Sequence, residues 1–460
     1  MNFCTSCGSR LAGESPRFCG QCGTPVPQEE PSIPTGGAWS EPMSLSLPGH
    51  AFSTPRIAVD SRGNVTLVWD AFDGSTSHVM AARLVDGKWT APYTLSSGPH
   101  RASDAHVAVD GAGVVTAVWL ECPDIWDASV QASRCIDGTW TAKHTLSSPE
   151  VGAFNPRVIA DSSGVATVVW DDRGRKNGRG ITVQAARCVS GRWTGPVDLS
   201  DASVESRGQV LTAGSGGQVI VMWEQGDDRK SLYATKCDGT KWAKPIAVSR
   251  GNANSSFLAP ALAASPRGDV VAVWRQGPDE RSKTRAARYV DGSWVALENI
   301  PAPDGSYGHA VAVDAKGIIT VLWRKFLEAQ SNMQDENLAV VQASRYVNDA
   351  WTKPEDLCLC GERSVQEVAA DSRGIVTAVW DAVEDGRDVV QSSRFVEGEW
   401  TPVVTLSSSD EEDATSPRLV IDSSDNVVAV WDRSCGWLPT ERGGHRRLSL
   451  VQVSRLEAGA

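Results

Sequence analysis

Apolar and polar positions alternate along this chain on the scale of strands. In residues 54–97, Ile57 to Val59 and Val65 to Trp69 are β-branched-rich runs joined by Asp60, Ser61, Arg62 and Gly63, a turn by composition. Val79 to Val85 and Trp89 to Leu95 form a second pair around Asp86-Gly87, a strong hairpin signal. Four short antiparallel strands in a meander are predicted, and the unit recurs at intervals of roughly 50 residues. The second strand is apolar on both faces, as in Val65 to Trp69 and Val270 to Trp274. Such a strand is expected between two covering layers, not with one face in water.

Tryptophan counts the units. One closes the second strand at Trp69, Trp119, Trp170, Trp223, Trp274, Trp323, Trp380 and Trp431. Another opens the fourth strand at Trp89, Trp140, Trp193, Trp242, Trp294, Trp351 and Trp400, and out of order at Trp39. The fold class this implies is all-β: an eight-bladed β-propeller of four-stranded antiparallel blades over residues 37–460. The chain resembles β-propellers in general. It departs from the WD-repeat family, because the upstream Gly-His signal is missing and the Trp sits on a different strand. The last repeat stops at Ala460 before its second Trp, and Trp39 to Ser46 matches Trp89 to Ser96. The N-terminal strand is therefore expected to complete the eighth blade and close the ring, which removes exposed edges.

Composition narrows the partners. A formal charge of -12 argues against nucleic acid as a partner of the propeller, since nonspecific binding needs clustered cations. The start lacks the features of a secretory signal and no run is long enough to span a membrane, so a cytoplasmic chain is expected.

Cys4-x-x-Cys7 and Cys19-x-x-Cys22 are separated by eleven residues, and Gly8 and Gly23 follow the second cysteine of each pair. Two such pairs offer four thiolates suited to tetrahedral zinc. The stretch resembles the short zinc ribbons at the N-termini of many bacterial proteins, which implies a structural zinc ion and a small module over residues 1–25. Residues 26–36 are rich in Pro, Glu and Gly and read as a flexible linker.

Most recurrent polar residues have structural readings. Asp60, Asp110, Asp161, Asp314, Asp371 and Asp422 open the first turn of their repeats, where a carboxylate accepts backbone hydrogen bonds. Arg83, Arg134, Arg187, Arg288, Arg345, Arg394 and Arg455 mark the third strand and are expected to pair with a turn carboxylate or cover a Trp. Cys135, Cys188 and Cys237 stand where other repeats have Leu, Tyr or Phe and read as core. Cys122, Cys358, Cys360 and Cys435 read as lying in connections.

Function must come from what the pattern leaves over. Trp126 and Trp437 fall in the variable connections of repeats two and eight, where they either stack on a sugar or partner or roof their own loops. At the start of the first strand, Arg418, Arg56, His106 and Arg157 hold one aligned position in repeats eight, one, two and three, against Val210, Ala261, Ala310 and Glu367 elsewhere. Three Arg and a His would form an arc at the channel mouth able to bind a carboxylate or phosphate, unless each Arg pairs with a nearby acid. The reading favoured by the sequence is a noncatalytic binding or scaffold protein that recognises a protein or other ligand through its long-loop rim. The alternative is a glycan-active propeller, a sialidase-like glycoside hydrolase or a lectin, with a carbohydrate or small anion as ligand. Sialidase Ser-x-Asp-x-Gly-x-x-Trp boxes are absent.

Overall fold

The computed structural model describes residues 38–45, 55–73, 75–123, 127–148, 152–174, 180–226, 230–249, 259–278, 281–327, 338–361, 364–407, 413–439 and 445–458. Residues 39–458 form one compact unit. It holds eight antiparallel sheets, seven of them sequential meanders and the eighth completed by the N-terminal strand, and no helix of the described residues is long and apolar enough to cross a membrane.

Blade 1 shows how the sequence builds each sheet. Arg56–Val59 pairs with Val65–Phe72, which pairs with Ser77–Val85. Between the first two strands, Asp60 Oδ1 accepts from the backbone N–H of Arg62 and of Asn64, each at 2.9 Å, while Gly63 takes φ 80°. The same two bonds are made by Asp110, Asp161, Asp314, Asp371 and Asp422, so these carboxylates are turn residues. The third-strand arginines reach back to them: Arg134 lies 3.8 Å from Asp110, Arg187 3.8 Å from Asp161 and Arg455 3.7 Å from Asp422.

The outer strand differs from a simple fourth strand. In blade 1 it is two fragments, Lys88–Trp89 and Tyr93–Thr94, both paired with the third strand. At the break, Thr90 Oγ1 accepts from the N–H of Arg83 at 3.0 Å, so a hydroxyl replaces a backbone acceptor in the ladder. Thr141, Thr194, Thr352 and Thr401 do the same. Blade 5 has Val295 in this place, and its outer strand Ser293–Leu297 is continuous.

Both tryptophans of a blade enter the interface with the preceding blade. Trp170 and Trp193 of blade 3 pack in one cluster with Val118, Leu120 and Val130 of blade 2. Trp69 and Trp89 of blade 1 pack with Val428, Val430, Val451 and Val453 of blade 8. Trp39 joins Trp431 against Val379 and Val390 of blade 7. The N-terminal strand thus supplies the missing outer strand: Trp39 bridges Leu456, and Met43 and Ser44 pair with Val453 and Gln452. Ser40 accepts from the N–H of Arg455 at 3.0 Å, the role of Thr90.

Cys135, Cys188 and Cys237 are buried, as their positions in the repeat predict. Cys122, Cys358, Cys360 and Cys435 lie within strands and not in connections. The eighth connection is likewise not a loop over most of its length, because Val427–Pro439 and His445–Leu456 pair as one long hairpin.

Candidate functional site

The aligned position at the start of the first strand is one place in the fold. Arg56, His106, Arg157, Val210, Ala261, Ala310, Glu367 and Arg418 each pair with the residue that precedes the second-strand Trp. Several of these strands begin with a bulge whose residue is left-handed, such as Asp104 (φ 56°), Asn155 (52°), Gly208 (67°) and Ser416 (60°). Carboxylates that follow the second-strand Trp cap these bulges. Asp70 accepts from the N–H groups of Asp104 and Ala105, and Glu224 accepts from that of Ala259 at 2.9 Å, in each case across to the next blade. The Trp-Asp pairs therefore tie neighbouring blades at the channel mouth.

Asp171 shows the cost of this service. It accepts from Asn155 Nδ2 at 3.0 Å and from the N–H of Gly208 at 3.4 Å, and burial raises its pKa to about 7. Asp381 is raised to about 7 for the same reason. Because the folded pKa of Asp171 lies above the unfolded value of about 3.9, the folded state binds the extra proton. Its stabilising contribution is complete below about pH 4 and is lost as pH rises through about 7. Asp171→Asn is expected to flatten this decline, so that the melting temperature of the variant gains on the wild type between about pH 5 and pH 8. Parallel melting curves over that range would contradict the assignment.

The eight aligned positions line a central cavity of about 710 Å³ that opens at the mouth. All four members of the expected arc, Arg418, Arg56, His106 and Arg157, line it together. Their pairing differs from residue to residue. Arg418 Nη1 donates to Glu367 Oε1 at 2.9 Å, and the other oxygen of Glu367 accepts from the N–H of Leu419. Arg157 lies 3.6 Å from Asp104. Arg56, between them in the ring, has no ion pair among the described residues, and its Nη1 is buried without a hydrogen-bond partner. Burial, with repulsion from Arg418 and Arg157, brings its pKa down to about 9. His106 is held neutral, well below the usual imidazole range, by burial and by the charges of Arg157, Arg56 and Arg418. Its Nδ1 accepts from the N–H of Val158 at 3.4 Å. Two arginines thus have local acids, as one sequence reading expects, and the third is a partly buried cation, with one nitrogen sealed and unpartnered, that an anion would complete.

Further cavity residues escape a sequence reading. Gln209, His309 and Gln366 precede the aligned position in blades 4, 6 and 7, where other blades have Pro55, Ala105, Pro156, Pro260 and Pro417. Their shared slot is visible only once the register is known.

Cys4, Cys7, Cys19, Cys22 and Trp126 lie outside the described residues. Trp437 sits on the long hairpin with its backbone opposite Arg447. Among the described residues no group of three or more His, Cys, Asp or Glu could hold a metal ion.

Compared by sequence, the chain matches no protein-family model and no curated protein. It is similar in structure to polysaccharide lyase Uly1 at 10% identity and a TM-score of 0.49, over 75% of this chain and 88% of that one. It is also similar to a PL25 ulvan lyase at 10% identity and a TM-score of 0.46, over 79% and 94% of the two chains. A third likeness is to the GH93 α-L-arabinofuranosidase of Fusarium graminearum, at 13% identity and a TM-score of 0.39, over 63% and 91%. The expectation of a noncatalytic scaffold holding a partner on its long-loop rim is corrected at this point. The propellers just named are, by their names, glycan-active enzymes. In this chain, moreover, the unpaired cation lines the open central cavity and not the long-loop rim.

Proposed function

We propose that the propeller is a glycan-active protein that takes an acidic saccharide into the mouth of its central channel, with the carboxylate against Arg56 and flanked by Arg157 and Arg418. The observation that carries this reading is the Arg56 guanidinium, which lines the cavity without an ion pair among the described residues, while Arg418 and Arg157, the other two arginines of the arc, each have one. Even a partly buried cation is disfavoured unless paired, and a carboxylate matches its fork geometry. The cavity, at about 710 Å³, lies within the range of sites that enclose small ligands. The proposal is tested by challenging the full chain with uronate polysaccharides, such as pectate and alginate, and with neutral dextran and arabinan. Retardation in affinity gels, new reducing ends and unsaturated products would be measured side by side. Engagement of the uronate polymers alone is expected; equal engagement of neutral polymers, or none of the acidic ones, would overturn it.

We also propose a structural zinc ion at the cysteine quartet. Four thiolates from Cys4, Cys7, Cys19 and Cys22 would complete a tetrahedral zinc site with no open position, so the metal would serve structure and not chemistry.

A further inference from the structure

The ring around the cavity carries two polar sets that avoid each other. Blades 8, 1, 2 and 3 place Arg418, Arg56, His106 and Arg157 at the aligned position and only Pro or Ala just before it. Blades 4 and 6 reverse this: the aligned residues are Val210 and Ala310, and the polar side chains are Gln209 and His309 in the preceding slot. Blade 7 adds Gln366 in the preceding slot beside Glu367 at the aligned position, and blade 5 places only the small, apolar Pro260 and Ala261 in the two slots. One side of the cavity carries the cations; the other is polar and, apart from Glu367, which is paired with Arg418 at the border of the two, uncharged.

The neutral side has hydrogen-bonding capacity to spare. The Gln209 amide donates to the carbonyl oxygen of Asn155, and that of Gln366 to the carbonyl oxygen of Gly308. A carbonyl can only accept, so the tied atom is the NH₂ and the untied atom of each glutamine is its carbonyl oxygen. Both glutamines are more than nine-tenths buried, at 4% and 7% exposed, and both free oxygens lack a donor. His309 makes one contact, Nε2 with Thr284 Oγ1 at 2.9 Å, and its Nδ1 has no partner. Burial and the charges of Arg275 and Arg324 bring its pKa down to about 3, so it presents a neutral ring. Buried acceptors without donors mark a place where a donor is missing. Hydroxyl groups supply donors without bringing charge.

We infer that the wall formed by Gln209, His309 and Gln366 is a second subsite, which receives the uncharged, hydroxyl-bearing part of a ligand whose acid group lies across the cavity at Arg56. This rests on the proposed anion site and assigns what that site alone leaves open: the ligand is a polyhydroxylated acid and not an inorganic anion or an apolar acid. Val210, Ala261 and Ala310 give the ring body its space.

The test titrates the full chain calorimetrically with glucuronate, with cyclohexanecarboxylate, which keeps the six-membered ring and the acid but no hydroxyls, and with glucose. Wild type is expected to bind glucuronate at least about 10-fold more tightly than cyclohexanecarboxylate, the value of one or two well-made hydrogen bonds. His309→Phe and Gln209→Leu should each reduce that ratio by about 3-fold or more, with melting temperatures recorded to verify folding. Arg56→Ala should weaken both acids alike and leave the ratio intact. Equal binding of the two acids by wild type, lost in Arg56→Ala, would overturn the second subsite and leave the anion site standing. An unchanged ratio in both folded wall variants would overturn the assignment to this wall. Failure to bind either acid, or indifference to Arg56→Ala, would overturn the anion site and this inference with it.

Discussion

A chain beginning at residue 47 is expected to melt on the order of 10 °C below one beginning at residue 31, although the two differ by only sixteen residues. The shorter chain loses Trp39, which packs with Trp431 at the interface of blades 7 and 8, and Leu45, which packs beside the Trp69 cluster. Losing a core Trp costs about 3–5 kcal/mol, and the hydrogen bonds to Arg455, Val453 and Gln452 add about 1 kcal/mol each. It also bares Val451 to Leu456 as an unpaired edge, so aggregation on heating is expected as well. The chain beginning at residue 31 keeps every one of these contacts and lacks residues 1–30, which carry the cysteine quartet. It should match the full chain in melting temperature while losing about one bound zinc per molecule, read by elemental analysis. Equal melting of the two truncations would refute closure by the N-terminal strand, and equal metal content of the full chain and the longer truncation would refute the zinc site.

Arg56→Ala is expected to weaken an acidic saccharide by about 10- to 100-fold without lowering the melting temperature. The sign of the second effect separates a binding role from a structural one. The pKa of Arg56 is depressed, so the fold favours the neutral form, and at neutral pH the charged side chain works against folding. Removing it relieves that repulsion from Arg418 and Arg157. Arg418→Ala should behave differently, because it strands Glu367, whose two oxygens serve Arg418 and the N–H of Leu419. Arg56→Lys keeps the charge but loses the planar fork, and is expected to fall between wild type and Ala. A melting temperature that falls in Arg56→Ala as far as in Arg418→Ala, with binding unchanged, would make Arg56 structural.

The architecture was legible because its determinants are local and repeated. The Trp that ends each second strand counts blades, Asp with Gly three places on defines turns, and the unfinished eighth repeat calls for Trp39. That both tryptophans of a blade serve the same interface with the preceding blade could not be read, since it depends on how blades stack. The eighth connection misled because Arg and Gly in Arg433 to Arg447 suggest a loop, whereas tertiary pairing extends the strands through it. The basic arc was legible as an alignment of Arg418, Arg56, His106 and Arg157, but its pairing was not. Glu367 stands in the same column as the residue it neutralises, one blade earlier, and only the ring places it beside Arg418. Gln209, His309 and Gln366 were missed because they share a slot but not a residue type, among prolines that give no signal.

The most direct test of the account is a crystal structure of the full chain with a glucuronate-containing oligosaccharide. The account predicts the carboxylate within hydrogen-bond distance of Arg56, at the mouth of the channel, with the sugar ring directed toward Ala261 and Ala310. Clear density for the sugar on the outer surface or along the long connections, with the channel mouth holding only water, would contradict it.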